Sequence, residues 1–218
     1  FDMPLFIRGQ IIEDDWLHYS LRHNEKSFRA PDPHRYIKEL PLSNLKAMQD
    51  LHDINFGEIL DVLEELGKNL DIDKNSYMRQ AYEANLVASP YPAAMLKNSY
   101  LMLPGAFNRD SIEEIAEKRI GIDYLNGWVR QKLLDGRILN VRAFGARSLH
   151  IPAGNGALVS AITIIRNAIT RSDAIIKAPS NDPMTAVALA RTLAEIAPNH
   201  PLTKHLTVAY WKGGDENF

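Results

Sequence analysis

The hydrophobic and polar positions along the chain follow two different patterns. Up to about residue 140, apolar residues recur at the three- and four-residue spacing that is typical of amphipathic helices, among many charged residues. This spacing predicts helices within 43–66, over 76–88, over 110–121 and over 122–135. Gly57 lies inside the first of these runs, where a glycine can divide one helix into two.

Polar residues and glycines indicate where these helices begin and end. Ser76 is a candidate N-cap for one helix, and Asp110 or Ser111 is a candidate for another. Gly121 follows a helical run, as a residue that ends a helix often does. We therefore expect residues 1–140 to form a mainly helical segment that packs on the remainder of the chain.

From residue 141 the pattern changes to short apolar runs that alternate with apolar helical stretches. The first strand-like run turns at Gly154, and two further runs cover 173–180 and 206–211. Predicted helices over 156–170 and 182–197 separate the three runs. Strands connected by helices are parallel, with right-handed crossovers. The predicted fold class is thus α/β, with an open parallel sheet preceded by a helical segment. The β-α-β-α-β order predicts part of a nucleotide-binding domain.

The carboxyl ends of these strands are the predicted site, because open α/β sheets bind ligands there. They carry Pro152 to Asn155, Lys177 to Ser180, and the run Trp211-Lys212-Gly213-Gly214. The Asn155 amide can stabilise a developing oxyanion, and Lys177 can bind ribose hydroxyls or phosphate. Ser180 is small and neutral, which favours NADPH over NADH because a carboxylate there would repel a 2′-phosphate. Turns and a solvated lysine explain the same residues equally well.

Composition excludes several other classes of function. The chain has 218 residues and no cysteine, so this stretch contains no disulfide, no thiolate metal cluster and no cysteine nucleophile. The formal charge of −2 gives no basic excess for binding nucleic acid. Seven histidines show no spacing typical of metal ligands, so no metal site is predicted. Since neither a membrane-spanning run nor a secretory signal is evident, we expect a cytoplasmic protein.

The strand ends also carry a resemblance to a known family. Ile151 to Asn155, Ala174 to Ser180 and Pro183 to Thr185 resemble, in order and spacing, the cofactor-domain core of the aldehyde dehydrogenase superfamily. Two sequence motifs are most similar to acyl-CoA reductases of the bacterial luminescence type. They are His-Ile-Pro-Ala-Gly-Asn at 150–155 and Tyr-Trp-Lys-Gly-Gly-Asp-Glu at 210–216. This superfamily binds its cofactor without the usual Gly-x-Gly-x-x-Gly fingerprint, which is absent here.

The resemblance implies an activity and roles for particular residues. Such enzymes use NADPH to reduce a fatty acyl thioester, on CoA or on a protein, to an aldehyde through a cysteine thioester. Asn155 matches the asparagine that stabilises the oxyanion. Lys177 matches the lysine that holds the adenosine ribose, while Ser180, Pro152 and Pro179 match cofactor-contact positions. The family usually forms homo-oligomers, and enzymes that transfer acyl groups are expected as partners.

Two departures from the family pattern leave alternatives open. Gly156-Ala157 follows Asn155 where the family often has an apolar residue and proline. The chain also lacks the nucleophilic cysteine, so we expect an N-terminal fragment that is inactive alone. One alternative is a non-catalytic module that binds a nucleotide or a partner. Another is a relative that acts on short substrates, either acylating CoA or reducing a phosphate ester.

Overall fold

The computed structural model describes residues 1–23 and 25–218, and a mixed five-stranded sheet lies at its centre. The strands in chain order are β1 (Leu5–Ile7), β2 (Gln10–Ile12), β3 (Trp16–Ser20), β4 (Ser27–Pro31), β5 (Val129–Lys132), β6 (Ile138–Val141), β7 (Arg147–His150), β8 (Asp173–Lys177) and β9 (Leu206–Ala209). The central sheet has the order β2-β1-β9-β8-β7, while β3 with β4 and β5 with β6 form separate two-stranded hairpins.

Helices pack around this sheet and fill most of the segment before residue 127. They are α1 (Gln49–Asp53), α2 (Phe56–Lys68), α3 (Ser76–Ala88), α4 (Ala93–Leu101), α5 (Leu103–Ala106), α6 (Arg109–Arg119), α7 (Ile122–Asn126), α8 (Ala157–Thr170), α9 (Thr185–Ile196) and α10 (Pro201–Lys204). Helix α9 contacts β1 and β9 as well as α2 and α3, and α8 contacts α4 and α5. Both helices are therefore apolar on more than one face.

The predicted α/β class and the β-α-β-α-β order are confirmed. Strands β7, β8 and β9 are parallel neighbours, and α8 and α9 connect them. The sheet is mixed, however, because β1 pairs antiparallel with β9 and β2 pairs antiparallel with β1. The predicted parallel arrangement is thus confirmed for β7 to β9, and the two N-terminal strands extend the sheet on one side with antiparallel pairing. Strand β1 has only three residues, all buried, so it offers neither alternation nor length to a sequence pattern.

The predicted helices over 76–88 and 110–121 are confirmed as α3 and α6, but their N-caps differ from the predicted ones. Asn75 and Asn108 are the N-caps of α3 and α6, and the side chain of each accepts a backbone N–H bond, whereas Ser76 was the predicted cap. Gly57 does not divide a helix, because α2 runs through it from Phe56. The break lies before Asn55, whose side chain caps α2 by accepting from the Gly57 N–H.

Two stretches of the predicted helical segment are strands instead. Strands β1 to β4 occupy positions between residues 5 and 31. The helix predicted over 122–135 ends at Asn126, and the hairpin of β5 and β6 follows it. Gly127 adopts extended backbone angles that stop α7, and Gly136 turns the hairpin at φ +87°. Glycine is favoured at that turn because L side chains rarely adopt this φ.

Candidate functional site

The carboxyl ends of the three parallel strands lie side by side at one edge of the sheet. His150 near the end of β7 pairs with Ile176, and Lys177 at the end of β8 pairs with Ala209. The loops that leave these strands are therefore neighbours, as expected for an α/β sheet that binds a ligand at this edge.

Gly154 brings the first two loops into direct contact. A Cβ atom at this position would lie 1.8 Å from Asn181 Oδ1 and 3.0 Å from Pro179 Cβ. The loop that carries Pro152 and Asn155 therefore touches the loop that carries Pro179 and Ser180. A side chain at residue 154 would push these loops apart, so glycine permits the close approach.

Asn155 lies just before helix α8 and is exposed. Among the described residues its side-chain amide has no hydrogen-bond partner, so the amide is free to donate to a ligand. The start of α8 is held from outside, because the Ala157 N–H donates to Ser99 Oγ on α4 at 3.2 Å. Ser99 thus supplies the cap that Gly156 cannot, and it fixes the backbone next to Asn155.

Lys177 is the last residue of β8 and Ser180 lies in the loop after it, and both are less exposed than Asn155. The Lys177 ammonium lies 5.1 Å from the ring centroid of Tyr210, within the range of a cation–π contact. Burial lowers the pKa of Lys177, and the nearby charge of Arg22 lowers it further. Ser180 is buried, with 8% of its surface exposed.

Lys177 and Ser180 open into one cavity of about 250 Å³. It is lined by His18, Tyr19, Ser20, Arg22, Lys177, Ser180, Tyr210, Lys212 and Gly213. Two of the predicted cofactor residues are thus brought together. Pro152, Pro179 and Asn155 do not line this cavity, although their loop is in contact with the one that does.

Part of the cavity lining comes from the N-terminal hairpin, for which no role was predicted from the sequence. His18, Tyr19 and Ser20 belong to β3, and Arg22 follows it in the loop toward β4. The only sequence signal was a short polar stretch with isolated basic residues. Its position beside Lys177 depends on contacts between distant parts of the chain, which periodicity does not reveal.

A buried polar network supports the loop after β8 from behind. The Asp182 carboxylate accepts from Asn85 Nδ2 at 2.7 Å and from the Thr185 N–H at 3.3 Å. Tyr100 on α4 lies within hydrogen-bond distance, 2.7 Å, of Thr185 Oγ1. Burial raises the pKa of Asp182, although these bonds oppose the shift. The loop that ends in Asp182 is thereby fixed to α3, α4 and α9.

Two other kinds of site find no support in the part of the chain that the structure describes. Its helices are all too short or too polar to cross a lipid bilayer. Its histidine, aspartate and glutamate side chains form no group of three or more that could hold a metal ion.

Solved aldehyde dehydrogenases have the same fold as this chain. Aldehyde dehydrogenase 21 from Physcomitrella patens superposes with a TM-score of 0.72 at 14% identity, over 98% of this chain and 44% of that one. The NADP-dependent glyceraldehyde-3-phosphate dehydrogenase from Bacillus halodurans gives 0.68 at 14% identity, over 98% and 44%. The chain therefore has an aldehyde dehydrogenase-like α/β fold.

The chain belongs to the acyl-CoA reductase (LuxC) family, whose model matches residues 51–218. The long-chain acyl-protein thioester reductase of Vibrio harveyi is 28% identical over 215 residues, which are 96% of this chain and 43% of that protein. The Photorhabdus laumondii reductase is 43% identical over 72 residues, 33% of this chain and 15% of that one. The chain thus spans less than half the length of these relatives.

Proposed function

We propose that this chain is the N-terminal part of an enzyme that uses NADPH to reduce a fatty acyl thioester to an aldehyde. The observation that carries the proposal is the contact at Gly154, which brings the loop of Asn155 against the loop of Lys177 and Ser180. Membership of the acyl-CoA reductase family supports a fatty acyl-CoA as substrate. The name of the Vibrio harveyi relative supports an acyl-protein thioester as the alternative acyl donor.

Asn155 has the role of an oxyanion donor in this proposal. Its exposed amide can donate a hydrogen bond to the carbonyl oxygen of the thioester as that oxygen gains negative charge. Such a donor contributes about 3–4 kcal/mol to the stability of a transition state. A cysteine that lies outside this chain would attack the carbonyl carbon, expel the thiol and hold the acyl group as an enzyme thioester.

The loop after β8 would hold the cofactor, which when bound supplies the hydride that reduces the enzyme thioester. Lys177 is placed to bind the adenosine ribose, and Ser180 leaves space beside it for a 2′-phosphate. Pro152 and Pro179 would shape the backbone that the cofactor contacts. The Bacillus halodurans neighbour, solved in complex with NADP, supports a nicotinamide cofactor for this fold.

The complete protein that contains this chain provides the test. With a long-chain acyl-CoA, it should oxidise NADPH and release aldehyde, and NADPH should raise its melting temperature more than NADH does. Lys177→Ala should weaken the binding of both cofactors while the fold is kept, since Lys177 lies at a strand end. Unchanged affinity for both would remove the proposed role of Lys177.

Other outcomes would favour other functions. Binding of a nucleotide without any reductase activity would indicate a non-catalytic module, and activity confined to short acyl chains would indicate a CoA-acylating aldehyde dehydrogenase. In the proposed enzyme, this chain alone is inactive because it has no cysteine.

The proposal extends to assembly and surroundings. We propose a cytoplasmic homo-oligomer that receives acyl groups from acyl-transfer enzymes. The hairpin of β5 and β6 supports an interface between copies, since it exposes apolar side chains at Leu134, Ile138 and Leu139.

A further inference from the structure

The cavity beside Lys177 has a second wall, and the roles proposed above do not use it. This wall is the hairpin of β3 and β4, whose strands pair antiparallel from Trp16 with Pro31 to Ser20 with Ser27. The connecting loop is closed by a hydrogen bond of 2.9 Å from the Leu21 N–H to the Lys26 carbonyl. Arg22 lies in this loop and lines the cavity.

Aromatic contacts fix the hairpin to the end of β9. The Tyr19 and Tyr210 rings meet edge to face with centroids 4.7 Å apart, and Phe28 meets Tyr210 in the same way at 4.8 Å. Such pairs stabilise a defined orientation beyond the effect of apolar burial. The hairpin is therefore fixed near the carboxyl ends of β8 and β9. Arg22 follows β3 in the hairpin and lines the cavity there.

The charge of Arg22 acts on two other residues that line the cavity. It lowers the pKa of Lys177, after burial, and it opposes the rise that burial causes in the pKa of Tyr210. Lys212, which follows β9, contributes a third cationic side chain to the lining of the cavity. Like charges held together repel each other, which is a cost to the fold unless an anion binds between them.

Carboxylates do not neutralise these cations from within the cavity. Among the described residues that line it, none is Asp or Glu. Two carboxylates act on Tyr19, which lines the cavity. The pKa of Tyr19 is raised to about 12 by burial and by the charges of Asp32, Tyr210 and Asp215. Both carboxylates are bound by His34, at 2.7 Å for Asp32 and 2.8 Å for Asp215. The cavity thus keeps an excess of positive charge.

We propose that Arg22 is a specificity residue that binds the 2′-phosphate of NADPH, which deepens the cofactor role proposed above and rests on it. A phosphate dianion beside Ser180 would neutralise the cations that Arg22, Lys177 and Lys212 bring together. Arginine suits this role because its planar guanidinium can donate two parallel hydrogen bonds to phosphate oxygens. The N-terminal hairpin thereby selects NADPH, while Lys177 binds the ribose that both cofactors share.

The test compares cofactor affinities of the complete protein in wild-type, Arg22→Ala and Arg22→Lys forms. Dissociation constants are measured for NADPH and NADH, and for the probes 2′,5′-ADP and 5′-AMP. Arg22→Ala should weaken NADPH and 2′,5′-ADP by roughly 10- to 100-fold, as for one charge-assisted hydrogen bond, and leave NADH and 5′-AMP unchanged. Arg22→Lys should recover part of the loss, since it keeps the charge.

Arg35→Ala is the matched control, because Arg35 is an exposed arginine paired with Asp15 and does not line the cavity. It should leave all four affinities unchanged. Equal effects of Arg22→Ala on NADPH and NADH, or no effect, would overturn the role of Arg22. A wild-type preference for NADH would also overturn it. That preference would contradict the proposed use of NADPH as well. If only the Arg22→Ala result fails, weaker binding of both cofactors by Lys177→Ala would leave the proposed function standing, whereas a protein that binds neither cofactor would contradict both proposals.

Discussion

Charged side chains are organised in opposite ways at the two ends of the parallel strands. At the amino end, Asp173 begins β8 and is 2% exposed, yet it is bound by Arg8 and His205. At the carboxyl end of the same strand, Lys177 lies near Arg22 and faces a cavity without a lining carboxylate among the described residues. Strand β8 thus has a neutralised charge cluster at its amino end and positive charge without a lining carboxylate, among the described residues, at its carboxyl end.

The amino-end cluster is paired throughout. Arg8 donates to both oxygens of Asp173, with Nη2 3.2 Å from Oδ2. The two ring nitrogens of His205 lie 2.9 Å from Asp173 Oδ1 and 2.9 Å from Asp50 Oδ1. Burial alone would raise the pKa of Asp173, but these partners lower it below its ordinary value. Charges that are satisfied inside the fold contribute to stability, whereas those left unpaired at the other end are available to a ligand.

Asp173→Ala should have the largest effect on stability. It removes the partner that the partly buried Arg8 and the buried His205 share, and breaking a buried pair in this way costs about 3–5 kcal/mol. Urea denaturation measures the loss of unfolding free energy. Asp2→Ala is the control, because Asp2 and its partner Arg29 are both more than 40% exposed. Such a surface pair contributes about 0–1 kcal/mol, and equal losses in the two variants would contradict the comparison.

Two glycines allow the stability of the two ends of the sheet to be compared. Near the amino end, a Cβ at Gly145 would lie 1.9 Å from the Arg171 carbonyl oxygen, whereas at the carboxyl end Gly154 meets the Asn181 side chain. Backbone cannot move aside as a side chain can. Gly145→Ala should therefore cost about 1–3 kcal/mol or more, and Gly154→Ala clearly less.

Cofactor affinity should respond in the reverse order. Gly154→Ala separates the loops of Asn155 and Ser180, so it should weaken NADPH binding, while Gly145→Ala should not change affinity in the fraction that remains folded. Thermal denaturation and fluorescence titration of the complete protein measure the two quantities. A larger loss of stability in Gly154→Ala would show that the carboxyl-end loops are as rigid as the amino end.

Much of this arrangement could be predicted from the sequence, because it depends on local signals. The alternation of apolar strands and helices predicted the order of β7 to β9, and the strand-end residues Lys177 and Ser180 do share a cavity. Asn155 follows the neighbouring strand, and the close approach of Gly154 explains why its loop is adjacent.

The remainder depends on pairing between distant segments, for which the chain carries little local signal. Strand β1 is three buried residues that join the sheet only by pairing with β9, about 200 residues away. Strand β5 was predicted as the end of a helix because its alternation is short. Arg22 belongs to the site only because Tyr19 and Phe28 pack on Tyr210.

Two buried aspartates offer the finest test of the same contrast. Asp173 has cationic partners and a lowered pKa, whereas Asp182 is bound by the neutral groups of Asn85 and Thr185, and burial raises its pKa. A raised pKa means that the folded state holds a proton that the unfolded state releases. Asp182 therefore stabilises the fold less as pH rises from 3.8 through its folded pKa.

Asp182→Asn removes this dependence, because the amide keeps an acceptor oxygen and does not ionise. Relative to wild type, the variant should gain stability as pH rises from 4 to 7, because the raised pKa of Asp182 makes the wild type lose stability over this range. Urea denaturation across this pH range measures the difference in unfolding free energy between Asp182→Asn and wild type. Asp173→Asn is the control. The difference in unfolding free energy between this variant and wild type should change mainly below pH 3.8, since the pKa of Asp173 is lowered. A difference for Asp182→Asn that is constant with pH would show that the carboxyl end neutralises its buried aspartate as the amino end does.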